Sequence, residues 1–304
     1  MKFGFVSAIL PDCSFEEVID FAAENQFKCV EVCCWPKGKA ERRYAGITHI
    51  DIDTLDDEKV KYILDYTAKK GVEISSLGYY PNPLDPDLEK RAVYIEHIKK
   101  LIKASAKLGV NMVTTFIGRN CKTSVDENFE QFQLVWPEII ALAEENKVKV
   151  AIENCPMFFS MDEWPGGNNL AASPAIWRRM FEAIPSDYFG LNYDPSHMIL
   201  LQMDHVKPIY EFKEKMFHIH FKDLKIYQDK LDQVGIMAPT LEYTSPKLPG
   251  LGSVAWAPFV SALTDIKYRG HACIEVEDKA FEDTLDDRKK AIILSKNYLN
   301  QFLF

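Results

Sequence analysis

The sequence contains no uninterrupted apolar run of the roughly 18 residues that a membrane-spanning helix requires. Its opening segment, "MKFGFVSAILPDCS", holds an apolar run too short for a secretory signal and reaches Pro11 and Asp12 early. We therefore expect no membrane span and no export, and a cytoplasmic protein is favoured.

The sequence also lacks a recognisable pattern of paired or metal-binding cysteines, and it lacks an excess of basic residues. The seven cysteines are an odd number without zinc-finger spacing, and the adjacent Cys33 and Cys34 are poorly placed to bridge each other. A reducing compartment fits this pattern best. The 36 basic residues are outnumbered by 45 acidic ones, and the net charge of −9 disfavours binding to nucleic acid or to an anionic membrane surface. Small solutes are the expected partners.

The sequence also lacks a linker rich in proline, glycine or serine, so it is interpreted as one domain over residues 1–304. Short β-branched or aromatic runs alternate with longer amphipathic ones, a pattern typical of parallel strands joined by helices. The predicted strands are 2–8, 29–35, 72–80, 111–118, 149–155, 189–194, 216–223 and 271–278. The predicted helices are 14–27, 57–71, 87–109, 125–146, 174–184, 204–215, 255–267 and 284–303. Eight strand–helix units predict a single closed (β/α)8 TIM barrel.

Three connections in this predicted barrel are long. Residues 36–56 follow strand two, 156–173 follow strand five and 224–254 follow strand seven. All three come after the C-terminal ends of strands, the face on which barrel enzymes carry their sites. The pattern therefore predicts a covered pocket on that face.

Strand interiors are expected to be apolar, so a carboxylate or imidazole inside a strand needs a reason. The last four predicted strands carry such residues, namely Glu153, Asp194, the pair His218 and His220, and Glu275. Because these strands are neighbours around one half of the barrel, their side chains can converge. Alternation places His218, His220 and Lys222 on one side of strand seven. His220 is assigned to the site because it lies nearer the C-terminal end, and His218 is expected to lie deeper.

Three carboxylates and one imidazole form a hard, oxygen-rich ligand set, which favours Mn²⁺ and leaves Mg²⁺, Co²⁺ and Zn²⁺ open. A divalent cation would also offset the repulsion among three crowded anions. Each residue has an ordinary alternative: Glu275 could pair with Lys222, Asp194 could cap the following turn, and either histidine could be a hydrogen-bonded core residue. Their combination on four adjacent strands favours one metal site.

At these residues the sequence resembles the xylose isomerase-like barrel superfamily, specifically its sugar phosphate isomerase/epimerase branch. The resemblance covers nearly the whole chain and rests on "IEN" at 152–154, "DPSH" at 194–197, "HIHFKD" at 218–223, "PGLGSVAW" at 249–256 and "IEVED" at 274–278. It implies metal ligands at Glu153, Asp194, His220 and Glu275. It also implies that His197 contacts a substrate oxygen.

The resemblance implies a reaction as well. A keto sugar polarised by the metal loses the proton beside its carbonyl, and Glu153 and Glu275 match the pair that exchanges protons on opposite faces of the enediolate in related ketose 3-epimerases. A dehydratase or lyase similar to inosose dehydratase is the alternative, because the same enediolate can expel a β-hydroxyl group. The loops after strands two, five and seven do not match those of the best-known ketose epimerases, which leaves the substrate open. A homo-oligomer is compatible with the resemblance, although no surface stripe identifies an interface.

Two other functions are weighed against these enzymes. Abasic-site nucleases share this barrel but cluster several metal ions with extra histidines near its start, whereas predicted strands three and four end in "SSLGYYPN" and "TTFIGR" without a histidine. The acidic charge also opposes a grip on phosphates, so a nuclease is disfavoured. Sugar binding without catalysis remains open.

Three further residues are candidates for substrate binding. Lys222 could stabilise an enediolate oxygen or a leaving hydroxyl group, or it could form an ion pair with Asp223 or Glu275. Trp35, at the end of strand two, could stack on a sugar or plug the barrel mouth. Arg119, just beyond strand four, could bind an anion or form a surface salt bridge.

Loop composition gives weaker signals. The loop of 37–49 concentrates Lys37, Lys39, Arg42, Arg43 and His49, which could contact a phosphate or carboxylate or be solvated. The glycines of "PGLGS" at 249–253 could present amides to an anion or serve a turn. "EWPGGNN" at 163–169 is interpreted as a flexible lid.

Overall fold

The computed structural model describes residues 1–38, 44–158 and 167–303. Lys39, Arg42 and Arg43 of the basic loop lie outside these ranges, as do residues 163–166 of the predicted lid.

Eight parallel strands close into a barrel, which confirms the predicted fold class. The barrel strands are β1 (Lys2–Val6), β2 (Cys29–Cys33), β3 (Glu73–Gly78), β4 (Met112–Thr115), β5 (Lys149–Glu153), β6 (Phe189–Tyr193), β7 (Met216–Phe221) and β10 (His271–Ile274). Around the barrel they run in the order β1, β10, β7, β6, β5, β4, β3, β2, so that β2 returns to β1. The remaining strands, β8 (Asp223–Ile226) and β9 (Thr244–Lys247), form a separate antiparallel pair.

Helices follow each barrel strand in the chain. They are α1 (Phe15–Glu24), α2 (Asp57–Lys70), α3 (Leu88–Lys107), α4 (Val125–Glu145), α5 (Pro174–Ala183), α6 (Pro195–Leu200), α7 (Lys207–Glu211), α8 (Gln228–Val234), α9 (Trp256–Asp265) and α10 (Leu285–Leu299). No helix among the described residues is both long enough and apolar enough to cross a membrane.

Local sequence signals explain where several helices begin and which face they bury. The Ser14 hydroxyl accepts a hydrogen bond from the Glu17 amide, and the Glu17 carboxylate accepts one from the Ser14 amide, so α1 starts with a capping box. In α3, Ile98, Leu101 and Ile102 are buried against the barrel, as their helical spacing predicts.

Aromatic packing between helices and strands supports the half of the barrel that carries the candidate site. The Trp136 ring of α4 stacks against Phe189 of β6 with centroids 6.1 Å apart. Its indole N–H donates to the carbonyl of Ile117, 3.1 Å away, which satisfies the polar atom of a buried aromatic residue. This layer holds β6 against the helix that precedes β5.

The connection after β7 is an organised structure rather than a plain loop, because it contains the β8–β9 hairpin and α8. Asp223, at the start of β8, is fully buried. Its carboxylate accepts hydrogen bonds from the amides of Leu224, Gly250 and Val254 at 2.8, 2.9 and 3.0 Å and from the Trp256 indole at 2.9 Å. Two backbone amides around the glycine-rich turn of 249–253 therefore donate to the Asp223 carboxylate, which occupies them in place of an external anion.

Candidate metal centre

The four residues predicted as ligands meet at the C-terminal end of the barrel. Glu153 ends β5, Asp194 directly follows β6, His220 lies near the end of β7, and Glu275 directly follows β10. One potential ligand atom from each lies within 4.8 Å of those of the other three. Glu153, Asp194 and His220 are buried, and Glu275 is partly exposed. The barrel thus brings these four side chains together, while their role as ligands stays a prediction.

The carboxylate of Asp194 caps a helix and also faces the cluster, two arrangements that the sequence left as alternatives. Its Oδ1 atom accepts a hydrogen bond of 2.7 Å from the Ser196 amide and so caps α6, a short helix that the sequence analysis did not predict. Its backbone is held by Asn154, whose side chain bonds both the amide and the carbonyl of Asp194. Oδ2 is left to face the cluster.

The donor atoms that face the cluster show why a cation fits there. Asp194 Oδ2, His220 Nδ1 and Glu275 Oε2 are buried, and none of the three makes a hydrogen bond to a described residue. Buried polar atoms without hydrogen bonds are rare in folded proteins because their desolvation is not compensated. A divalent cation at the centre would satisfy all three atoms together, and the carboxylate-rich set suits a hard ion.

Burial and neighbouring charges shift the titration of the cluster. Burial and the nearby Glu275 and Glu153 charges raise the pKa of Asp194 to about 6, against the opposing effect of His197 and Lys222. Burial also opposes ionisation of Glu153, but hydrogen bonds and charge from His197 and His220 outweigh it and lower the pKa of Glu153 to about 2. Glu153 is therefore ionised at neutral pH, as a general base must be.

The histidine of the "DPSH" motif lies against two of the predicted ligands. His197 Nε2 is 3.1 Å from Oε1 of Glu153 and 3.2 Å from Oδ2 of Asp194. Burial disfavours its charged form, but the neighbouring Cys155, the Asp194 charge and hydrogen bonding to Glu153 more than compensate and raise the pKa of His197 well above its usual value. Cys155 also has its sulfur within 4.8 Å of ligand atoms of Glu153 and His197.

The sequence of this barrel matches a known family. A family model described as "Xylose isomerase-like TIM barrel" matches residues 19–300. The chain belongs to that family.

Solved structures share the barrel of this xylose isomerase-like protein. D-psicose 3-epimerase from Clostridium cellulolyticum H10, solved with D-tagatose, has 16% sequence identity and a TM-score of 0.74, covering 100% of this chain and 99% of that one. The probable 3-DHS dehydratase AsbF from Bacillus anthracis has 17% identity and a TM-score of 0.71, covering 99% of both chains. IolI with a bound zinc atom has 14% identity and a TM-score of 0.73, covering 100% and 99%. At these identities the likeness shows the fold alone.

The other predicted substrate contacts of this family member divide into two groups. Lys222 and Trp35 line the same cavity as Glu153, His197 and Glu275. Trp35 also packs edge-on against Tyr79, with ring centroids 4.8 Å apart. Arg119 is not part of the lining of that cavity, and Asn82 bonds both its backbone amide and its carbonyl. Its anion-binding role stays a prediction.

In the described part of the basic loop, Lys37 and His49 contact other residues of the protein. The ammonium group of Lys37 lies 2.8 Å from Asp51, and the ring of His49 bonds Ser7 Oγ at 3.0 Å and donates to the Leu10 carbonyl at 3.1 Å. From the predicted lid, Asn169 is buried and its amide group donates to the carbonyl of Glu153 at 2.9 Å. Asn169 therefore fixes the backbone beside a predicted ligand.

Two glutamates at the site were missed by sequence reasoning. Glu277 pairs with Lys222, and Glu31 lies fully buried beneath His220. Both carried a usable signal. Glu31 is a charged residue inside the apolar run of β2, and Glu277 has the same strand parity as Glu275.

Proposed function

We propose that the protein is a divalent-metal-dependent isomerase or epimerase of a keto sugar or sugar derivative. The observation that carries the proposal is the convergence of buried donor atoms from Asp194, His220 and Glu275, none of which makes a hydrogen bond to a described residue, beside the ionised Glu153. These four residues would hold the ion, and Mn²⁺ is the preferred choice for their hard donor set. The likeness to an epimerase solved with D-tagatose and to a protein with a bound zinc atom supports this class of enzyme.

The chemistry follows from where the side chains lie. A bound divalent cation would polarise a substrate carbonyl and lower the barrier to removing the proton on the adjacent carbon. Glu153 and Glu275 stand on strands separated by β6 and β7, so their carboxylates approach a small substrate from different sides. One takes the proton and the other returns a proton to the enediolate. His197 contacts a substrate oxygen, and Lys222 stabilises the developing negative charge.

The cavity fits a small sugar-like substrate. Trp35, Tyr80 and Phe116 contribute aromatic surface to its lining, and Glu153, His197, Lys222 and Glu275 contribute polar groups. Aromatic faces commonly bind the apolar faces of sugars, and a few placed polar groups fix the orientation of the ligand.

The test is a panel of keto sugars and inososes incubated in deuterated water with Mn²⁺ and followed by NMR. Solvent deuterium is expected to enter beside the carbonyl, and chelation of the metal is expected to stop it. Glu153→Gln and Glu275→Gln should each lower the exchange rate by at least about 100-fold. Glu73→Gln, a matched change at the opposite end of the barrel, should leave it unaltered.

The outcome separates this function from its alternatives. If Glu153→Gln retains full turnover, the carboxylate does not exchange the proton and a non-catalytic sugar-binding role replaces the proposal. A product of lower mass with the absorbance of an enone or diketone would indicate a dehydratase instead. That second function is favoured by the ammonium group of Lys222 at the cavity wall, which can stabilise a leaving hydroxyl group by a charged hydrogen bond, and by the likeness to a probable 3-DHS dehydratase.

A further inference from the structure

A buried carboxylate lies beneath the candidate metal centre on a strand that contributes none of the proposed ligands. Glu31 is in the middle of β2 and is fully buried. Its Oε2 atom lies 2.9 Å from Nε2 of His220, and its Oε1 atom accepts a hydrogen bond from the Tyr80 hydroxyl. Gly78 leaves room for this carboxylate, since a Cβ atom there would come within 2.8 Å of Oε1. The barrel interior is thus shaped around an anion in contact with His220.

One arrangement of hydrogens satisfies the network around Glu31. The carboxylate can only accept, so Nε2 of His220 carries the hydrogen and the Tyr80 hydroxyl donates. The Asn192 amide group donates to the Tyr80 oxygen at 3.3 Å, and its Oδ1 accepts from Nδ1 of His218 at 2.9 Å. Nε2 of His218 then accepts from Ser75 Oγ at 3.1 Å. The amide nitrogen of Asn192 also lies 3.0 Å from Nε2 of His220, and in this arrangement its hydrogen is directed to the Tyr80 oxygen instead.

This arrangement has a consequence for the other nitrogen of His220. In the neutral ring, which is the form that binds a metal, a hydrogen on Nε2 leaves the lone pair on Nδ1, and that atom faces Glu275 Oε2 at 3.3 Å and Glu153 Oε1 at 3.7 Å. Nδ1 makes no hydrogen bond to a described residue. Histidine ligands in metal sites are commonly held in this way, with the second ring nitrogen donating to a carboxylate.

We propose that Glu31 is a positioning residue that holds His220 as the Nε2–H tautomer and aims its Nδ1 lone pair at the metal ion. This inference rests on the proposed metal-dependent function. Glu31 does not touch the substrate or the reacting atoms, and it acts through the orientation of one ligand.

Glu31, His218 and His220 could alternatively form a second, deeper cation site. Ligand atoms of Glu31, His218 and His220 lie within 4.8 Å of one another. Both ring nitrogens of His218 are, however, bonded to Asn192 and Ser75, so a deeper ion would have to break a satisfied network. The geometry therefore favours positioning over a second ion.

The experiment measures Zn²⁺ binding to the metal-free protein by calorimetry, together with the thermal stability of each variant. Glu31→Gln is expected to bind one Zn²⁺ with an affinity 10- to 100-fold lower than the wild type. Glu73→Gln, an exposed glutamate in β3, should bind within about twofold of the wild type. His220→Ala should lose more affinity than Glu31→Gln, because it removes the ligand itself.

The tautomer of His220 is measured directly on wild-type protein with ¹⁵N-labelled histidine. This measurement does not depend on whether the Glu31→Gln variant folds. A long-range ¹H–¹⁵N spectrum of the Zn²⁺-bound protein should show His220 with its only ring hydrogen on Nε2. The inference is overturned if His220 is the Nδ1–H tautomer, if Glu31→Gln binds Zn²⁺ as tightly as the wild type, or if the wild type binds two ions and Glu31→Gln one. If His220→Ala also binds like the wild type, the proposed metal centre itself is wrong.

Discussion

The ammonium group of Lys222 lies 2.5 Å from Oε2 of Glu277, at the wall of the cavity that Glu153 and Glu275 also line. It is also 3.5 Å from Oε2 of Glu275. Burial disfavours its charged form, but the two glutamates outweigh that effect and raise the pKa of Lys222 well above its usual value. Lys222 is therefore a fixed positive charge beside a predicted ligand. The ion pair with Glu275 that the sequence suggested is present, whereas Asp223 is bonded to the "PGLGS" turn instead.

Lys222→Met separates catalysis from metal binding. We expect deuterium exchange to fall by about 100-fold, because the charge proposed to stabilise the enediolate is lost. The affinity for Mn²⁺ should stay equal or rise, since Glu275 loses a competing cation. Exchange is followed by NMR and affinity by calorimetry.

The matched control is Lys247→Met, which removes an ammonium group paired with Asp278 at 3.1 Å. Its exchange rate should remain near that of the wild type. An unchanged exchange rate in Lys222→Met would show that Lys222 has only a structural role, as the partner of Glu277 and Glu275.

Metal binding should weaken as the pH falls. The pKa of Asp194 is raised to about 6, chiefly by burial, so its carboxyl group is protonated below that pH. A ligand must be deprotonated to bind, and each pH unit below 6 should therefore cost about tenfold in affinity for Mn²⁺. Calorimetry at pH 5.0 and 7.5, in buffers that differ in ionisation enthalpy, measures both the affinity and the protons released. An affinity that is the same at both values would contradict the placement of Asp194 in the centre.

Bound metal should protect one cysteine from alkylation. Cys155 is partly exposed and lines the cavity, whereas burial raises the pKa of Cys33 to about 12 and keeps that thiol inert. Iodoacetamide should label Cys155 in the metal-free protein, and Mn²⁺ should slow the labelling, because Glu153 and His197 beside it become fixed.

Peptide mass spectrometry gives the rate for each cysteine. Cys13, which is partly exposed, is the internal reference and should react equally with and without Mn²⁺. Equal protection of both residues would point to a global change in the protein instead of occupation of the centre.

Asp223→Asn should destabilise the hairpin that follows β7. The amide side chain retains one acceptor oxygen, so the bonds from Gly250 and the Trp256 indole to Oδ2 lose their acceptor. We expect the free energy of unfolding to fall by about 2–4 kcal/mol. Urea unfolding measures this change, with Asp229→Asn in α8 as an exposed control expected within about 0.5 kcal/mol of the wild type. Equal stability of the two variants would show that the Asp223 bonds do not anchor the hairpin.

Most of the barrel was predictable because the apolar residues of its strands and helices recur at a regular spacing along the chain. The same alternation that identified β5, β6, β7 and β10 also exposed the polar residues at their ends, and the chain order placed those strands side by side. α6 and the β8–β9 hairpin were missed because they lie in connections without a long periodic pattern. Asp223 shows the limit: its partners at 250–256 are about thirty residues away, and no local rule links them.

The sequence by itself determined the eight repeating units and the four polar side chains that end its last strands, since these follow from a period of two or 3.6 residues along the chain. Only the tertiary structure decided that Glu31 meets His220. In the barrel order, β2 and β7 are separated by β1 and β10, so their side chains touch across the interior and not along a shared edge. Such contacts depend on closure and shear of the whole barrel, which no local segment encodes.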